Sequence, residues 1–317
     1  MGKPVVYIDG KEGTTGLQIY DRLAGREDIE LLLIDEDKRK DAAARKKLMN
    51  AADLVFLCLP DAAAAEAVEL VENPDTRVID ASTAHRTAPG WVYGFPELGG
   101  DQREAIRTAR RVANPGCYAT GFISLIAPLV KGGLLPANAP LTCHAVSGYT
   151  GGGKKAIAQY EAEDREAELV GPRHYAVTLA HKHIPEMMQV CGLGRKPIFM
   201  PMICDFPQGM VVTVPLYLDM LKGAPGPDRL RQAYNDFYAG SRFVTVRPGD
   251  APACGFIGSN NLAGTNDLQI FVCGNEEQIM LASRLDNLGK GASGAAVQNM
   301  NIMLGFPEET GLAEPSR

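Results

Sequence analysis

Three groups of residues have the types and spacing for chemistry. The first is Asn114-Pro115-Gly116-Cys117-Tyr118-Ala119-Thr120, a turn that runs into an apolar stretch over 121–130 and stops at Lys131-Gly132-Gly133. This pattern predicts a buried helix of about four turns with Cys117 at its N-terminus. Free N–H groups and the positive dipole end there favour a thiolate, the form that attacks a carbonyl. A small buried apolar cysteine is the competing reading. The second group is His181-Lys182-His183-Ile184-Pro185-Glu186. A metal site would need further ligands, and His174 has no recognisable ligand spacing, so no metal is assigned. Structural histidines remain one reading. The other is an acid/base partner for Cys117, His181 or His183, with Glu186 orienting the ring.

The third group is Gly10, Gly13 and Gly16, three apart, after the apolar Val5-Val6-Tyr7-Ile8-Asp9 and before a stretch with helical spacing from Leu17 to Leu23. Strand, glycine turn and helix form a variant of the dinucleotide fingerprint, with a pyrophosphate at the helix N-terminus. A plain turn is the alternative. A second strand, Glu30 to Ile34, ends in Asp35-Glu36-Asp37-Lys38-Arg39-Lys40. An acid there suits a ribose 2′-hydroxyl and a base suits a 2′-phosphate. Both are present, so this segment leaves NAD and NADP open, as well as a solvated charged loop.

These groups need a scaffold. Asp53 to Pro60 and Arg77 to Asp80 read as further strands, and Asp41 to Leu48 and Asp61 to Val71 as helices, the latter capped by Asp61. Alternation of this kind predicts an α/β fold, a Rossmann-type doubly wound parallel sheet. Loops after its strands lie along the ligand edge, which makes Cys58, Pro60, Ser82 and Arg86 candidates there. Arg86 could equally be a surface arginine. Beyond the cysteine helix, strands at 141–146, 199–205, 209–217 and 268–273 with few helices between predict an α+β catalytic domain with a mainly antiparallel sheet. Ser147 to Lys155 reads as a flexible glycine-rich loop without Walker spacing, and Glu161 to Glu168 as a solvated helix face. A small-residue helix from about Ala292 is expected to return to the first domain. The domains are then 1–116 with 291–317, and 117–290.

With 317 residues there is ample chain for two domains. The net charge of -6, without a basic block, argues against nucleic acid. No apolar stretch approaches the ~20 residues of a membrane span, and the N-terminus lacks a signal-peptide profile. Seven scattered cysteines without a Cys-x-x-Cys pair argue against disulfides and zinc ribbons and point to a reducing cytoplasm.

The chain resembles the N-acetyl-gamma-glutamyl-phosphate reductase family, in its shorter subtype, over nearly its whole length. The most specific pieces are Asn114 to Thr120, His181-x-His183-x-Pro185-Glu186 and Lys290-Gly291-Ala292-Ser293-Gly294-Ala295-Ala296-Val297-Gln298-Asn299-Met300. Tyr93-Gly94-Phe95-Pro96-Glu97 and Ser147-Gly148-Tyr149 are less sharp. The resemblance implies arginine biosynthesis, a small acyl phosphate substrate, NADPH, a cysteine thioester and a homodimer or homotetramer. NADPH would sit on Gly10, Gly13, Thr14, Thr15 and Gly16, with Lys38 and Arg39 at the 2′-phosphate and Asn287 at the nicotinamide carboxamide. Arg86, with Ser82, Ser147 and Gly148, would handle the substrate phosphate. The 35–40 segment departs from the Ser/Arg pattern often seen there. Aspartate-semialdehyde dehydrogenase has the same chemistry but a different cysteine motif. An aminoadipyl-phosphate reductase matches by motif as well. A non-catalytic NADP-binding sensor would have no reason to keep Cys117 and His181 together, and a thiol hydrolase none to keep the first glycine turn.

Overall fold

The computed structural model describes residues 2–249 and 255–312. Met1 and 313–317, given above to the first domain, lie outside them, as does Cys254. The described chain divides into two compact units, one of 2–96, 100–116 and 292–312, the other of 97–99, 117–249 and 255–291.

In the first unit the elements are β1 (Val5–Asp9), α1 (Thr14–Leu23), β2 (Glu30–Leu32), α2 (Ala42–Ala51), β3 (Leu54–Leu57), α3 (Asp61–Glu69), β4 (Arg77–Asp80), β5 (Val92–Tyr93), α4 (Gln102–Thr108) and β6 (Arg111–Ala113). Among the described residues, six strands form one sheet in the order β2-β1-β3-β4-β6-β5, every neighbour parallel. β3 is buried along its whole length, as a parallel strand covered on both faces must be. Tyr7, Val55, Leu57 and Val78 pack with Met49 of α2 and Ala67 and Val68 of α3 on one face of this sheet. Asp41 caps α2 by accepting from the N–H groups of Ala43 and Ala44. Asp61 does not cap α3. Pro60 holds the cap position, which makes Asp61 the first helical residue, and its carboxylate accepts the Thr83 N–H at 2.9 Å.

The second unit contains α5 (Cys117–Lys131), β7 (Thr142–Gly148), α6 (Gly153–Glu161), β8 (Arg173–His174), α7 (Ile184–Cys191), β9 (Ile198–Cys204), β10 (Met210–Tyr217), α8 (Pro227–Phe237), β11 (Val244–Val246), β12 (Leu268–Gly274) and β13 (Gln278–Leu285). The final helix, α9 (Gly294–Leu304), belongs to the first unit and packs on α1, α4 and β4. The second sheet runs β11-β12-β13-β10-β7-β9-β8. It is mixed: β11–β12 and β7–β9 are parallel and the other pairings antiparallel.

Two local readings change. Ser147 to Lys155 is no loop: it is the end of β7, a 3-10 turn over Tyr149–Gly152 and the start of α6. Its glycines serve close packing, since a Cβ on Gly148 would stand 2.4 Å from the Pro207 carbonyl oxygen. The charged run from Glu161 is not one helix face, because α6 ends at Glu161 and a separate 3-10 turn follows at Ala167–Val170.

α5 is buried on nearly every side and packs on β10, β13, α7 and α8. A Cβ on Gly121 would come 2.5 Å from the Val212 side chain, so glycine lets helix and sheet approach. Pro128 lies inside the helix and cannot donate to the Ser124 carbonyl four residues back. The Tyr238 hydroxyl donates to that carbonyl instead, at 2.8 Å. Burial pushes the Tyr238 phenol well above its ordinary range, which keeps the donor protonated.

Candidate active site

Cys117 is the first residue of α5 and is partly exposed. Around its neighbour Tyr118 the unit gathers four rings: Phe199 at 5.3 Å between centroids, His181 at 5.7 Å, His183 at 6.0 Å and Tyr175 at 6.3 Å. His181 is held at both ring nitrogens. The His183 backbone N–H donates to Nδ1 at 3.1 Å, and the Tyr175 hydroxyl lies 3.3 Å from Nε2. A donor at Nδ1 assigns the neutral ring its hydrogen on Nε2.

The Tyr118 phenol lies close to both Tyr175 and Ser147. Burial pushes the Tyr118 and Tyr175 phenols up, and a charge on Cys117 acts in the same direction. Ser147, His181, Tyr175 and Tyr118 therefore form one connected group beside Cys117. Tyr175 was not singled out in the sequence. The sequence offered only its place six residues before His181; in the structure Ala176 and Leu179 of the loop between them take positive φ of 51° and 57°. Non-glycine residues in that region carry strain that the surrounding structure must hold. Glu186 is buried in the first turn of α7, and His183 occupies the cap position before it. Asn287 accepts from the Gly209 N–H at 2.8 Å and donates to Thr150 Oγ1 at 3.0 Å.

In the first unit, Gly10 has φ +85°, and a Cβ on it would lie 2.5 Å from the Cys58 carbonyl oxygen. A Cβ on Gly16 would meet the Gly10 carbonyl oxygen at 2.4 Å. Gly13 is the N-cap of α1 and supplies no side-chain cap. Thr14 and Thr15 begin the helix, and the buried Thr14 Oγ1 has no hydrogen-bond partner. An uncapped helix start with an orphaned hydroxyl fits a pyrophosphate. Beside it is a cleft of about 470 Å³ whose lining includes Gly10, Leu32, Ile34, Arg39, Lys40 and Arg45. Arg45 is committed to Asp9, with 2.6 Å between its guanidinium and the carboxylate. Lys38 does not line this cleft. Its Nζ is 2.8 Å from the Asp35 carboxylate, on the surface. Arg39 does line it, and Lys40 was missed beside it.

Burial, with Asp80 and Asp9 nearby, pushes the Cys58 thiol far up, so it is no second nucleophile at neutral pH. Pro60 is exposed at the start of α3. Past β4, the buried Asp80 carboxylate accepts from the Ser82 N–H and Oγ at 2.9 and 2.7 Å, and His85 Nδ1 lies 2.6 Å away. Arg86 follows in the same loop and donates to the Asn114 and Ala81 carbonyls at 3.0 and 3.2 Å. Asn114 in turn donates to Ala292 O and accepts from Asn299. Those two motif asparagines thus fix the turn ahead of the cysteine. Among the described residues no group of three or more His, Cys, Asp or Glu could hold a metal ion, and no helix is long and apolar enough to cross a membrane.

Residues 117–287 match the family described as semialdehyde dehydrogenase, dimerisation domain, and residues 34–109 match semialdehyde dehydrogenase, NAD binding domain. N-acetyl-gamma-glutamyl-phosphate reductase 2 of Nostoc sp. is 50% identical, covering 98% of this chain and 100% of its own. N-acetyl-gamma-glutamyl-phosphate reductase of Rhizobium meliloti is 51% identical, covering 95% and 99%. Aspartate semialdehyde dehydrogenase II from Vibrio cholerae superposes with a TM-score of 0.73 at 14% identity, covering 96% of this chain and 99% of that one, a likeness of fold. The chain belongs to the semialdehyde dehydrogenase family, and within it to the N-acetyl-gamma-glutamyl-phosphate reductases.

Proposed function

We propose that this enzyme reduces N-acetyl-L-glutamyl 5-phosphate to N-acetyl-L-glutamate 5-semialdehyde with release of phosphate, a step of arginine biosynthesis, and that Cys117 is its nucleophile. The observation that carries the reading is the grouping of Cys117, at the start of a buried helix, with a histidine held at both ring nitrogens. Cys117 Sγ bonds to the acyl carbon. The carbon–oxygen bond to phosphate breaks, phosphate leaves with the electron pair, and a thioester remains. N–H groups in the first turn of α5 are the natural donors to the oxyanion. NADPH, when bound, supplies the hydride that takes the thioester carbon to the aldehyde level. The carbon–sulfur bond then breaks with its electrons returning to Sγ. His181 is assigned the proton that must reach the oxyanion or the departing sulfur, with Nε2 as its proton-bearing nitrogen. Glu186 is assigned to orient the histidine pair, with His183 the alternative acid/base.

Gly10, Gly13, Thr14, Thr15 and Gly16 hold the pyrophosphate in this reading. Arg39 with Lys40 takes the 2′-phosphate in place of Lys38, supported by their position on the cleft. Cys58 and Pro60 flank the cofactor edge, and Asn287 is assigned to the nicotinamide carboxamide. Arg86 is assigned as the cation for the departing phosphate, and Ser82, Ser147 and Gly148 keep their assignment to substrate binding. The enzyme works in the cytoplasm as a homodimer or homotetramer, a reading supported by the dimerisation-domain family matched over 117–287.

The test is a steady-state assay with three acyl phosphates. N-acetylglutamyl phosphate should give one NADPH oxidised per phosphate released. Faster turnover of aminoadipyl or aspartyl phosphate would move the reading to that substrate. NADPH binding without turnover of any of the three would make the chain a sensor.

A further inference from the structure

The second unit contains a fully buried ion pair that the reaction does not use. Lys290 Nζ lies 2.7 and 2.9 Å from the two carboxylate oxygens of Glu97, and both side chains are at most 1% exposed. Such a pair is weak evidence of stability, because desolvation opposes the Coulomb attraction. Its best-attested use is to fix one register among several.

The segment that it fixes lies against the nucleophile. Gly289–Ser293 is a π-helical turn, with the Gly291 N–H bonded to the Asp286 carbonyl five residues back at 2.9 Å. Turns of this kind are rare and recur at functional sites. A Cβ on Gly291 would lie 2.6 Å from the Cys117 Cβ and 3.1 Å from its Cα, so the Gly291 backbone forms a wall against the cysteine. The turn is pinned on its other side too. A Cβ on Gly289 would stand 1.9 Å from the Thr265 carbonyl oxygen, and the Asp286 carboxylate accepts from the Gly264 N–H at 2.8 Å. Glu97 is anchored in its turn, since the carbonyl of the next residue, Leu98, accepts from Lys131 at the far end of α5 at 2.9 Å. The helix that bears Cys117 is thereby clamped at its C-terminus through Leu98, while the Lys290–Glu97 pair sets the backbone that abuts its N-terminus.

We infer that Lys290 and Glu97 are positioning residues: their buried pair holds the π turn in the register that places Gly291 against Cys117 and so aims the thiol. The inference rests on the proposal that Cys117 is the nucleophile. A shift of the wall moves the sulfur relative to the acyl carbon, and near-attack geometry is sensitive at the ångström scale.

The test follows Cys117 alkylation by iodoacetamide against pH, together with kcat and KM, in full-length Lys290→Met. The alkylation profile should move and kcat should fall roughly 10- to 100-fold, with KM for NADPH nearly unchanged. Two more variants carry the same readouts should Lys290→Met not fold. Lys290→Met/Glu97→Gln leaves no orphaned charge and should still show the displaced profile. Gly291→Ala keeps the ion pair but pushes on the cysteine, and should lose activity likewise. A folded Lys290→Met or double variant with the wild-type alkylation profile and kcat overturns the inference, even if its melting temperature drops. Wild-type enzyme that stays active with Cys117 alkylated overturns the nucleophile proposal instead.

Discussion

At the scale of single residues, two hydrogen bonds fix the His181 ring. The His183 N–H into Nδ1 leaves Nε2 as the ring's donor, and Tyr175 stands at that nitrogen. Tyr175→Phe removes one neutral hydrogen bond, worth about 1 kcal/mol, so kcat is expected to fall roughly 5-fold while NADPH affinity stays constant. Stopped-flow turnover with a fluorescence titration of NADPH checks both. Removing the ring itself by His181→Ala should be more severe, roughly 10²- to 10⁴-fold. Selective alkylation is also expected at this scale. Burial pushes the Cys58, Cys143, Cys191 and Cys204 thiols upward, so peptide mapping at neutral pH should find Cys117 modified well before those four. The candidate Cys, His and Glu side chains were visible in the sequence as short motifs. Tyr175 was not, because its relation to His181 depends on a loop held in an uncommon backbone conformation. Nor was the Glu97–Lys290 pair, whose members are 193 positions apart.

At the scale of elements, periodicity and punctuation were informative wherever one segment sufficed. β1, the glycine turn and α1 follow from glycines that the backbone demands, and the apolar run after Cys117 does form a buried helix. The misreading of Ser147 to Lys155 has one physical cause. Glycine marks close approach as well as freedom, and Gly148 is there for the Pro207 carbonyl. The parallel pairings inside the second sheet were equally hidden, because strand order depends on contacts distant in the chain. Two predictions belong here. Tyr238→Phe leaves the buried Ser124 carbonyl without the donor that Pro128 cannot supply, and should destabilise the fold by about 1–3 kcal/mol in urea unfolding. Gly16→Ala drives a methyl group into the Gly10 carbonyl and should weaken NADPH binding at least roughly tenfold, with Cys117 alkylation unchanged.

For the whole molecule, the proposed function assigns the phosphates of NADPH to the parallel-sheet unit with the glycine turn and bond-making to the mixed-sheet unit with the cysteine. Ligand linkage tests the cofactor assignment. NADPH at a hundred times its Kd should stabilise the enzyme by about 2.7 kcal/mol, and Arg39→Glu should erase most of that gain while sparing the smaller effect of NADH. The central claim is the covalent step at Cys117, and intact-protein mass spectrometry addresses it most directly. Enzyme is mixed with N-acetylglutamyl phosphate in the absence of NADPH and quenched in acid. The account predicts a wild-type mass increased by one N-acetylglutamyl group, mapped to Cys117, and no thioester in Cys117→Ser. An unmodified wild-type enzyme that nonetheless turns over once NADPH is added, and keeps its full rate after Cys117 is alkylated, would contradict it.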